Sequence, residues 1–442
     1  MIKELQQYIG WFRESSPYIH RFRNQTFVVA FGGEVVSDGH MHRLAQDIAL
    51  LNSLGINIVL VHGAGPQIDE LLARFRLTTE RSHGRRITDA AALPIVRMAI
   101  GAVRLEVEAA LSQGLANSPM EGAKARICSG NFVLARPLGV LDGVDFQHTG
   151  QVRRIDASAI RQHLALDEIV LLSPLGYSTT GEIFNIGVED VAREAAVALN
   201  AAKLIFLTDE PGLPDSDGSL QRQLIASEIP VYLKAHHQMP ESLCNHVQSA
   251  QRACAQGVNR VHIVSRHMDG ALLLELFSRD GCGTLISSDP FENIRPAGIQ
   301  DVGGILDLIE PLEAAGVLVK RSREMLEMEI GNFVVVERDQ QVIACAALVP
   351  YPQEGLAELS CLAVHEDYRR QGRADSLLQF MIKKAANEGL KGLFVLTTQT
   401  AHWFMERGFV PAQIEALPMP RQQLYNIQRR SKVFIKPIQT ET

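Results

Sequence analysis

The 442-residue chain has few cysteines, no long apolar run and no large excess of charge of either sign. Its six cysteines stand at 128, 244, 254, 282, 345 and 361, and none forms a Cys-x-x-Cys pair. That spacing excludes a disulfide framework and a cysteine-ligated zinc site, so reduced thiols and no metal are expected. No stretch approaches the roughly 20 apolar residues that cross a bilayer. The net charge of -7, from 43 Lys and Arg against 50 Asp and Glu, is mild for this length. Nucleic-acid and anionic-membrane surfaces need concentrated Lys and Arg, so neither partner is expected. The first twenty residues, MIKELQQYIGWFRESSPYIH, lack the continuous apolar core and cleavage site of a signal peptide. A cytoplasmic protein is the expectation that remains.

What is present is ordinary globular composition, 46% hydrophobic and 21% charged, in a chain too long for one hydrophobic core. Leu5, Tyr8, Ile9 and Phe12 recur at helical spacing and are followed by Ser15-Ser16-Pro17. They predict a short amphipathic helix, a separate arm over residues 1–20, that serves either as an oligomer contact or as a cover for its own domain. From residue 26 to 286, apolar runs alternate with amphipathic stretches. Strands are predicted at 26–31, 57–61, 168–173, 203–208 and 260–264, and helices at 42–54, 67–75, 188–199, 240–255 and 270–277. The class is α/β, with a mainly parallel sheet covered by helices on both faces. Ser287-Ser288-Asp289-Pro290 interrupts the pattern, which makes 287–296 the predicted linker. The order then changes to a helix (302–315), strands at 332–337 and 341–348 joined through Arg338-Asp339-Gln340, and a strand at 357–364. A helix (374–388), a strand (392–397) and a helix (401–407) complete an α+β unit over 297–442.

Chemistry concentrates in that last unit. Arg369-x-x-Gly372-x-Ala374 falls between a strand and a helix. A turn of this kind leaves backbone N–H groups unpaired at a helix N-terminus, where they bind a pyrophosphate. Gly372 and Ala374 are small enough to let phosphates approach, and Arg369 and Arg373 add positive charge. With the strands on either side and Trp403-Phe404-Met405-Glu406-Arg407-Gly408-Phe409 after them, the set resembles the GNAT acetyltransferase superfamily from about residue 297 to the C-terminus.

That resemblance implies acetyl-CoA as co-substrate, with direct attack of an amine on the thioester. It implies that backbone amides of Cys361, Leu362, Ala363 and Val364 hold the pantetheine and polarise the acetyl carbonyl. An ammonium group must lose a proton before it attacks, and Glu358 is the candidate base; as a bare residue it also reads as a solvated strand end. Many GNAT enzymes protonate the leaving thiolate with a Tyr where this chain has Phe404, and Thr397 is the candidate replacement.

Three further segments, Phe31-Gly32-Gly33, Val61-His62-Gly63-Ala64-Gly65 and Gly84-Arg85-Arg86-Ile87-Thr88, resemble the amino acid kinase family over roughly residues 25–286, which makes 21–286 the kinase-like unit. N-acetylglutamate kinases are the particular likeness. Phosphoryl transfer needs cations on the migrating group, yet the two lysines of those kinases match Ala30 and His246 here. Asn185 and Asp209 stand near former ligand positions. The whole chain resembles the bacterial N-acetylglutamate synthase family, which joins both units. By that resemblance the acceptor is L-glutamate, held by Arg321, Arg421 and Arg430, and the reaction opens arginine biosynthesis. L-arginine is implied as an inhibitory effector bound by His262, Glu275 and backbone around Gly281. As a bare sequence, Glu275 also reads as the end of the stripe Leu272, Leu273, Leu274 and Leu276. The family further implies a homo-oligomer, a hexamer where the N-terminal helix links dimers. An N-acetylglutamate kinase, and an arginine sensor with a degenerate acetyltransferase unit, are the alternatives.

Overall fold

The computed structural model describes residues 2–114, 120–123, 125–278, 280–288, 292–338, 341–369, 372–426 and 428–438, without the side chains of residues 2–5, 7, 8 and 367. The chain divides into two compact units, Met1–Asp289 and Pro290–Thr442.

In the first unit, eight strands form one sheet in the order Gln223–Ile225, Thr284–Ser287, Arg260–Ser265, Lys203–Thr208, Thr26–Phe31, Asn57–His62, Glu168–Leu172 and Arg126–Ser129. Every pairing is parallel except Arg260–Ser265 with Thr284–Ser287. The central strands are continuous β-branched and aromatic runs because helices cover both of their faces. Alternate residues of one strand feed different cores. Phe27, Val29 and Phe31 join the core beneath helices Met41–Ser53, Ala92–Leu111 and Ala271–Phe277. Val28 and Ala30 join the core beneath Val188–Leu199 and Glu241–Ala255. Helix Ala92–Leu111 follows a spacing present in the sequence, since Ile95, Val96, Ala99, Ile100, Val103 and Val107 form its buried face. A second sheet of Ile183–Asn185, Leu175–Tyr177, Val133–Pro137 and Gly150–Ile155 is carried by strands too short and too polar to announce themselves.

The N-terminal helix corrects one expectation. It does not stop at Ser15-Ser16-Pro17 but runs from Ile2 to Phe22 with Pro17 inside it. An interior proline removes one backbone donor and costs on the order of 3 kcal/mol. Docking of the second half offsets that cost. Ser15 Oγ donates to the carbonyls of Trp11 (2.9 Å) and Phe277 (3.1 Å). Tyr18 and Phe22 are buried, and the Phe22 ring lies 5.2 Å from Phe27 and 5.8 Å from Phe277, centroid to centroid. The latter half is therefore a cover for its own unit, whereas Ile9, Trp11 and Phe12 face solvent. The Leu5 and Tyr8 side chains lie outside the described residues.

The second unit is a seven-stranded sheet in the order Glu292–Pro296, Phe333–Arg338, Gln341–Tyr351, Leu356–Val364, Gly392–Thr397, Lys432–Pro437 and Val410–Ala412. Only Leu356–Val364 with Gly392–Thr397 is parallel. Helix Arg373–Asn387 packs on one face through Leu377, Leu378, Met381 and Ala385. Helix Val302–Ala314 packs on the other through Val302, Ile305, Leu308 and Ile309. The segment expected as a linker supplies an edge strand, for Glu292–Pro296 pairs antiparallel with Phe333–Arg338. Residues 289–291 lie outside the described residues, as do Asp339 and Gln340 of the expected turn, although Arg338 and Gln341 pair across it.

Phe22→Ala removes a ring packed between two others and should lower the stability of the first unit by about 3–4 kcal/mol. Phe12→Ala, at a position 57% exposed, should change it by less than about 0.5 kcal/mol. Urea unfolding of the two variants, followed by fluorescence, measures the contrast.

Candidate active site and effector site

Strands Leu356–Val364 and Gly392–Thr397 pair only over Leu356–Glu358 and Gly392–Phe394. Past Glu358 they part, and that edge of the longer strand has no strand partner among the described residues. On its other edge the register slips: Ala347 faces Ser360 while Cys345 faces Ala363. Between those pairs one residue of one strand, Ala346, opposes two of the other, and Cys361 takes φ +50° to absorb the extra residue. The free edge runs through Cys361, Leu362, Ala363 and Val364, the stretch expected to hold pantetheine. Unpaired strand groups of this kind accept an extended amide chain as an added strand would be accepted.

The turn after that strand ends at Gly372, whose φ of +79° precedes the 15-residue helix Arg373–Asn387. No protein atom lies within 4 Å of a Cβ placed there, so the glycine is required by its backbone angle. Ala374 sits in the first turn, where the helix's first amides lack intrahelical partners. Arg369 is exposed, and its Nε donates to the Val364 carbonyl (3.3 Å). Arg373 departs from expectation. Its guanidinium binds both oxygens of Glu292 (2.8 and 2.5 Å) and stacks 4.8 Å over the Tyr368 ring, which commits it to the edge strand rather than to a phosphate. Arg370 and Gln371 lie outside the described residues. Asp375, also in the first turn, pairs with Arg407, which stacks on Trp403.

At the point where the strands part, Glu358 is buried and receives two hydrogen bonds from Arg421, Nε to Oε2 at 2.6 Å and Nη2 to Oε1 at 3.1 Å. Arg421 comes from the short helix Met419–Gln423, 63 residues away in sequence. Burial opposes its charge, but the bonds and charge of Glu358 outweigh burial and raise its pKa. Arg321 directs Nη1 at Cys361 Sγ (2.6 Å), with Glu329 3.9 Å from its Nε. Burial, the largest influence, pushes the Cys361 thiol up to about 11, so it stays neutral beside that guanidinium. Arg430 is exposed on a turn with φ +51°. Thr397 is buried at its strand end; its Oγ1 lies 2.8 Å from Thr400 Oγ1 and accepts from the Thr400 amide (3.0 Å). Phe404 is a core residue packed against Phe409. The structure thus joins Glu358 to Arg421 and Arg321 to Cys361, and among the described residues no hydrogen bond or ion pair ties Arg430 to either pair.

In the first unit, His262, Glu275 and Gly281 do meet. His262 Nδ1 lies 2.6 Å from Glu275 Oε1, and Glu275 Oε2 accepts from the amides of Cys282 and Gly283, both at 2.8 Å. Gly281 has φ +63°, and a Cβ on it would collide with Glu275 Oε2. The sequence reading missed Lys203, whose Nζ reaches His262 Nε2 at 3.0 Å. Its signal was a lone charge at the head of the wholly buried strand Lys203–Thr208. Burial first, then the Lys203 charge, pushes His262 down to about 4, against the pull of Glu275. A neutral imidazole therefore bridges an ammonium and a carboxylate, donating from Nδ1 and accepting at Nε2. Burial would raise Glu275, but the bonds from His262 and the two amides prevail and lower it. Arg222 Nη1 donates to the carbonyls of Asp280 (3.2 Å) and Gly281 (3.1 Å). Arg279 lies outside the described residues.

The kinase-like loops carry no lysine at either expected position. Ala30 is buried in its strand, and His246 packs edge-on to Phe206 at 4.9 Å. A Cβ on Gly32 would collide with the Glu34 carboxylate, so an anion already lies over the first Gly-Gly loop. Asn185 donates to Thr88 Oγ1 (3.0 Å), and Asp209 is held by Arg266 (2.5 Å). A cavity of about 640 Å³, lined by Gly212, Leu213, Leu220, His236, Met239 and Leu243 among others, contains none of the residues expected to bind a ligand. Cys128, His163 and Glu168 are near enough to share a metal ion, but as they stand they form a chain. Cys128 Sγ is 3.5 Å from His163 Nε2, and His163 Nδ1 is 2.8 Å from Glu168.

Residues 25–265 match the amino acid kinase family, and residues 305–409 match the acetyltransferase (GNAT) family. An amino-acid acetyltransferase of Pseudomonas fluorescens is 51% identical over 436 residues, 98% of this chain and 100% of that protein. One of Azotobacter vinelandii is 52% identical over 437 residues, with the same coverage. The crystal structure of N-acetylglutamate synthase from Neisseria gonorrhoeae complexed with coenzyme A and L-arginine is 37% identical. It superposes with a TM-score of 0.90 over 98% of this chain and 99% of that one. The same enzyme complexed with coenzyme A and N-acetyl-glutamate gives 0.63 at the same identity and coverage. With two unrelated folds in the same order as these relatives and half of its residues in common with them, the chain belongs to the amino-acid acetyltransferase family.

Proposed function

We propose that the chain transfers the acetyl group of acetyl-CoA to the α-amino group of L-glutamate, giving N-acetyl-L-glutamate and CoA, under inhibition by L-arginine at the first unit. The observation that carries the reading is the parting of Leu356–Val364 from Gly392–Thr397, with Glu358 and Arg421 where the gap begins. The free strand edge at Cys361–Val364 takes the pantetheine amides, and the amides preceding Ser376 in helix Arg373–Asn387 face the pyrophosphate, with Gly372 and Ala374 at that turn. Arg369 is the exposed cation there.

Glutamate brings two carboxylates and one ammonium. Arg321, Arg421 and Arg430 are planar, permanently charged donors suited to carboxylates. Arg421 holds Glu358, so a substrate carboxylate arriving at Arg421 competes for the same N–H groups. Success in that competition frees Glu358 to take the ammonium proton, directly or through water, and ties base activation to acceptor binding. The amine then attacks the thioester carbon, the C–S bond breaks, and CoA leaves as a thiolate. Thr397, with the Thr400 hydroxyl behind it, is placed at the strand end to return a proton to that sulfur.

The effector reading rests on Glu275. Glu275 Oε2 accepts from both amides, but Oε1 accepts only from His262 and keeps a second lone pair, to which a guanidinium N–H binds in addition. Family resemblance supports a cytoplasmic homo-oligomer, a hexamer in which the exposed Ile9, Trp11 and Phe12 of the N-terminal helix meet another copy.

Purified protein should release CoA from acetyl-CoA only when L-glutamate is present, and no such release sinks the reading. Glu358→Gln should lower kcat by about 100-fold or more while leaving the KM for acetyl-CoA within about twofold, as steady-state thiol release would show.

L-Arginine added to the same assay should lower the rate, and Glu275→Ala should remove that response. Gly281→Ala should weaken it as well, because the new methyl meets the Glu275 carboxylate in a left-handed backbone. Wild-type turnover indifferent to arginine would refute the effector assignment and leave the catalytic one standing.

A further inference from the structure

Ser360 stands on the same strand as Glu358, and its Oγ is buried with no hydrogen-bond partner among the described residues. A buried hydroxyl without a partner is a net cost to the folded chain. The register fixes which way it points. Paired residues of neighbouring strands share a face, and Ser360 is paired with Ala347, Glu358 with Val349 and Ala363 with Cys345. Ala347, Cys345, Cys361 and Ala363 belong to the core beneath helix Val302–Ala314. Ser360 and Cys361 are consecutive and yet share that face, because the bulge at Cys361 supplies the extra residue. Glu358, Ser360 and Cys361 are therefore neighbours on one face, with Arg421 bound to the first and Arg321 directed at the last.

This face is rich in donors for carboxylates and poor in acceptors for an ammonium group. Both Glu358 oxygens are engaged by Arg421, and the neutral Cys361 thiol is a weak acceptor. The serine hydroxyl, with two lone pairs, is an acceptor left without a partner among the described residues. Residues two apart along a strand are separated by about 7 Å, which lets one nitrogen lie between Ser360 and Glu358.

We propose that Ser360 Oγ accepts a hydrogen bond from the α-amino group of the acceptor amino acid and aims it at the thioester while Glu358 removes its proton. This rests on the acetyl-transfer reading given above. The hydroxyl is covered in the ligand-free chain, and the contact that a bound carboxylate breaks, Glu358 with Arg421, lies two residues along the same face.

The test compares wild type, Ser360→Ala and Ser360→Thr for kcat/KM with L-glutamate, KM for acetyl-CoA, melting temperature and inhibition by glutarate, which has both carboxylates and no amine. Ser360→Ala should lose about tenfold in kcat/KM, the worth of one hydrogen bond of about 1.4 kcal/mol. It should keep the KM for acetyl-CoA and the glutarate inhibition constant within about twofold, and melt no lower than wild type. Ser360→Thr should recover most of the lost rate. Unchanged kcat/KM in Ser360→Ala overturns the proposal. So does an equal weakening of glutarate, which would put the hydroxyl on a carboxylate, or a fall in melting temperature that threonine does not reverse. A wild-type enzyme that shows no glutamate-dependent CoA release overturns the acetyl-transfer reading itself.

Discussion

The chemistry of the second unit depends on two adjacent parallel strands ceasing to pair after Glu358. Backbone N–H and C=O groups left unpaired away from water cost about 1–3 kcal/mol each, so a sheet keeps such a gap only where something else supplies the missing partners. Two features hold it open. The slip at Cys361 bends the longer strand while its other edge stays paired with Gln341–Tyr351. The shorter strand is drawn instead to Lys432–Pro437, with which it pairs along its whole length from Gly392 to Thr397. Each strand keeps its pairing on the outer edge, and the gap between their inner edges is the candidate site. Glu358 sits at the last paired position, and the sequence after it carries the left-handed Cys361 and the orphaned hydroxyl of Ser360.

Each unit also buries opposite charges, but in arrangements that behave differently. Glu358 and Arg421 are a simple pair, each the other's principal partner. Lys203, His262 and Glu275 form a closed chain in which the imidazole is neutral and both carboxylate oxygens are bonded. Removing one member of such a buried set leaves an uncompensated charge and is strongly destabilising. The chain is therefore a poor latch and a good anchor. It fixes helix Ala271–Phe277 against strand Arg260–Ser265, and Lys203 also lies 5.1 Å over the Phe22 ring of the N-terminal helix. The helix that lies against the network is the one that carries exposed apolar residues in its first half.

Much of this was legible in the sequence, and the parts that were not share a cause. Runs such as Lys203–Thr208 and Gly392–Thr397 declare themselves because a strand buried on both faces must be apolar throughout. Helix Val188–Leu199 shows its 3.6-residue stripe for the related reason that one face is buried. The Gly-rich turns were visible because glycine is needed for close backbone approach at Gly63 and for a left-handed backbone at Gly84 and Gly372. Partners distant in sequence left no local mark. Arg373 looks like a phosphate ligand until Glu292, 81 residues earlier, is brought beside it. The helix through Pro17 is sustained by Phe27 and Phe277, and nothing near the proline predicts that. Glu292–Pro296 reads as a linker because an edge strand needs no apolar alternation of its own. The slip at Cys361 is a property of two strands together, so no reading of one strand contains it.

The first unit shows how a fold can outlast its chemistry. Gly32, Gly33 and Gly63 keep their close approach, for a Cβ on Gly63 would fall 3.0 Å from the Gly32 Cα. The space that approach creates now holds the Glu34 carboxylate. Two like charges 4 Å apart repel by about 4 kcal/mol at an effective dielectric constant near 20, which is close to a thousandfold in affinity. A phosphoryl group entering this loop would meet that repulsion and, with Ala30 and His246 in place of lysines, none of the attraction that phosphoryl transfer requires. The first unit thus differs from a phosphoryl-transfer site not only in lacking two cations but in carrying a carboxylate over the loop. What the glycines still provide is the packing of two strand ends against each other, and that packing keeps the eight-stranded sheet intact around Lys203, His262 and Glu275.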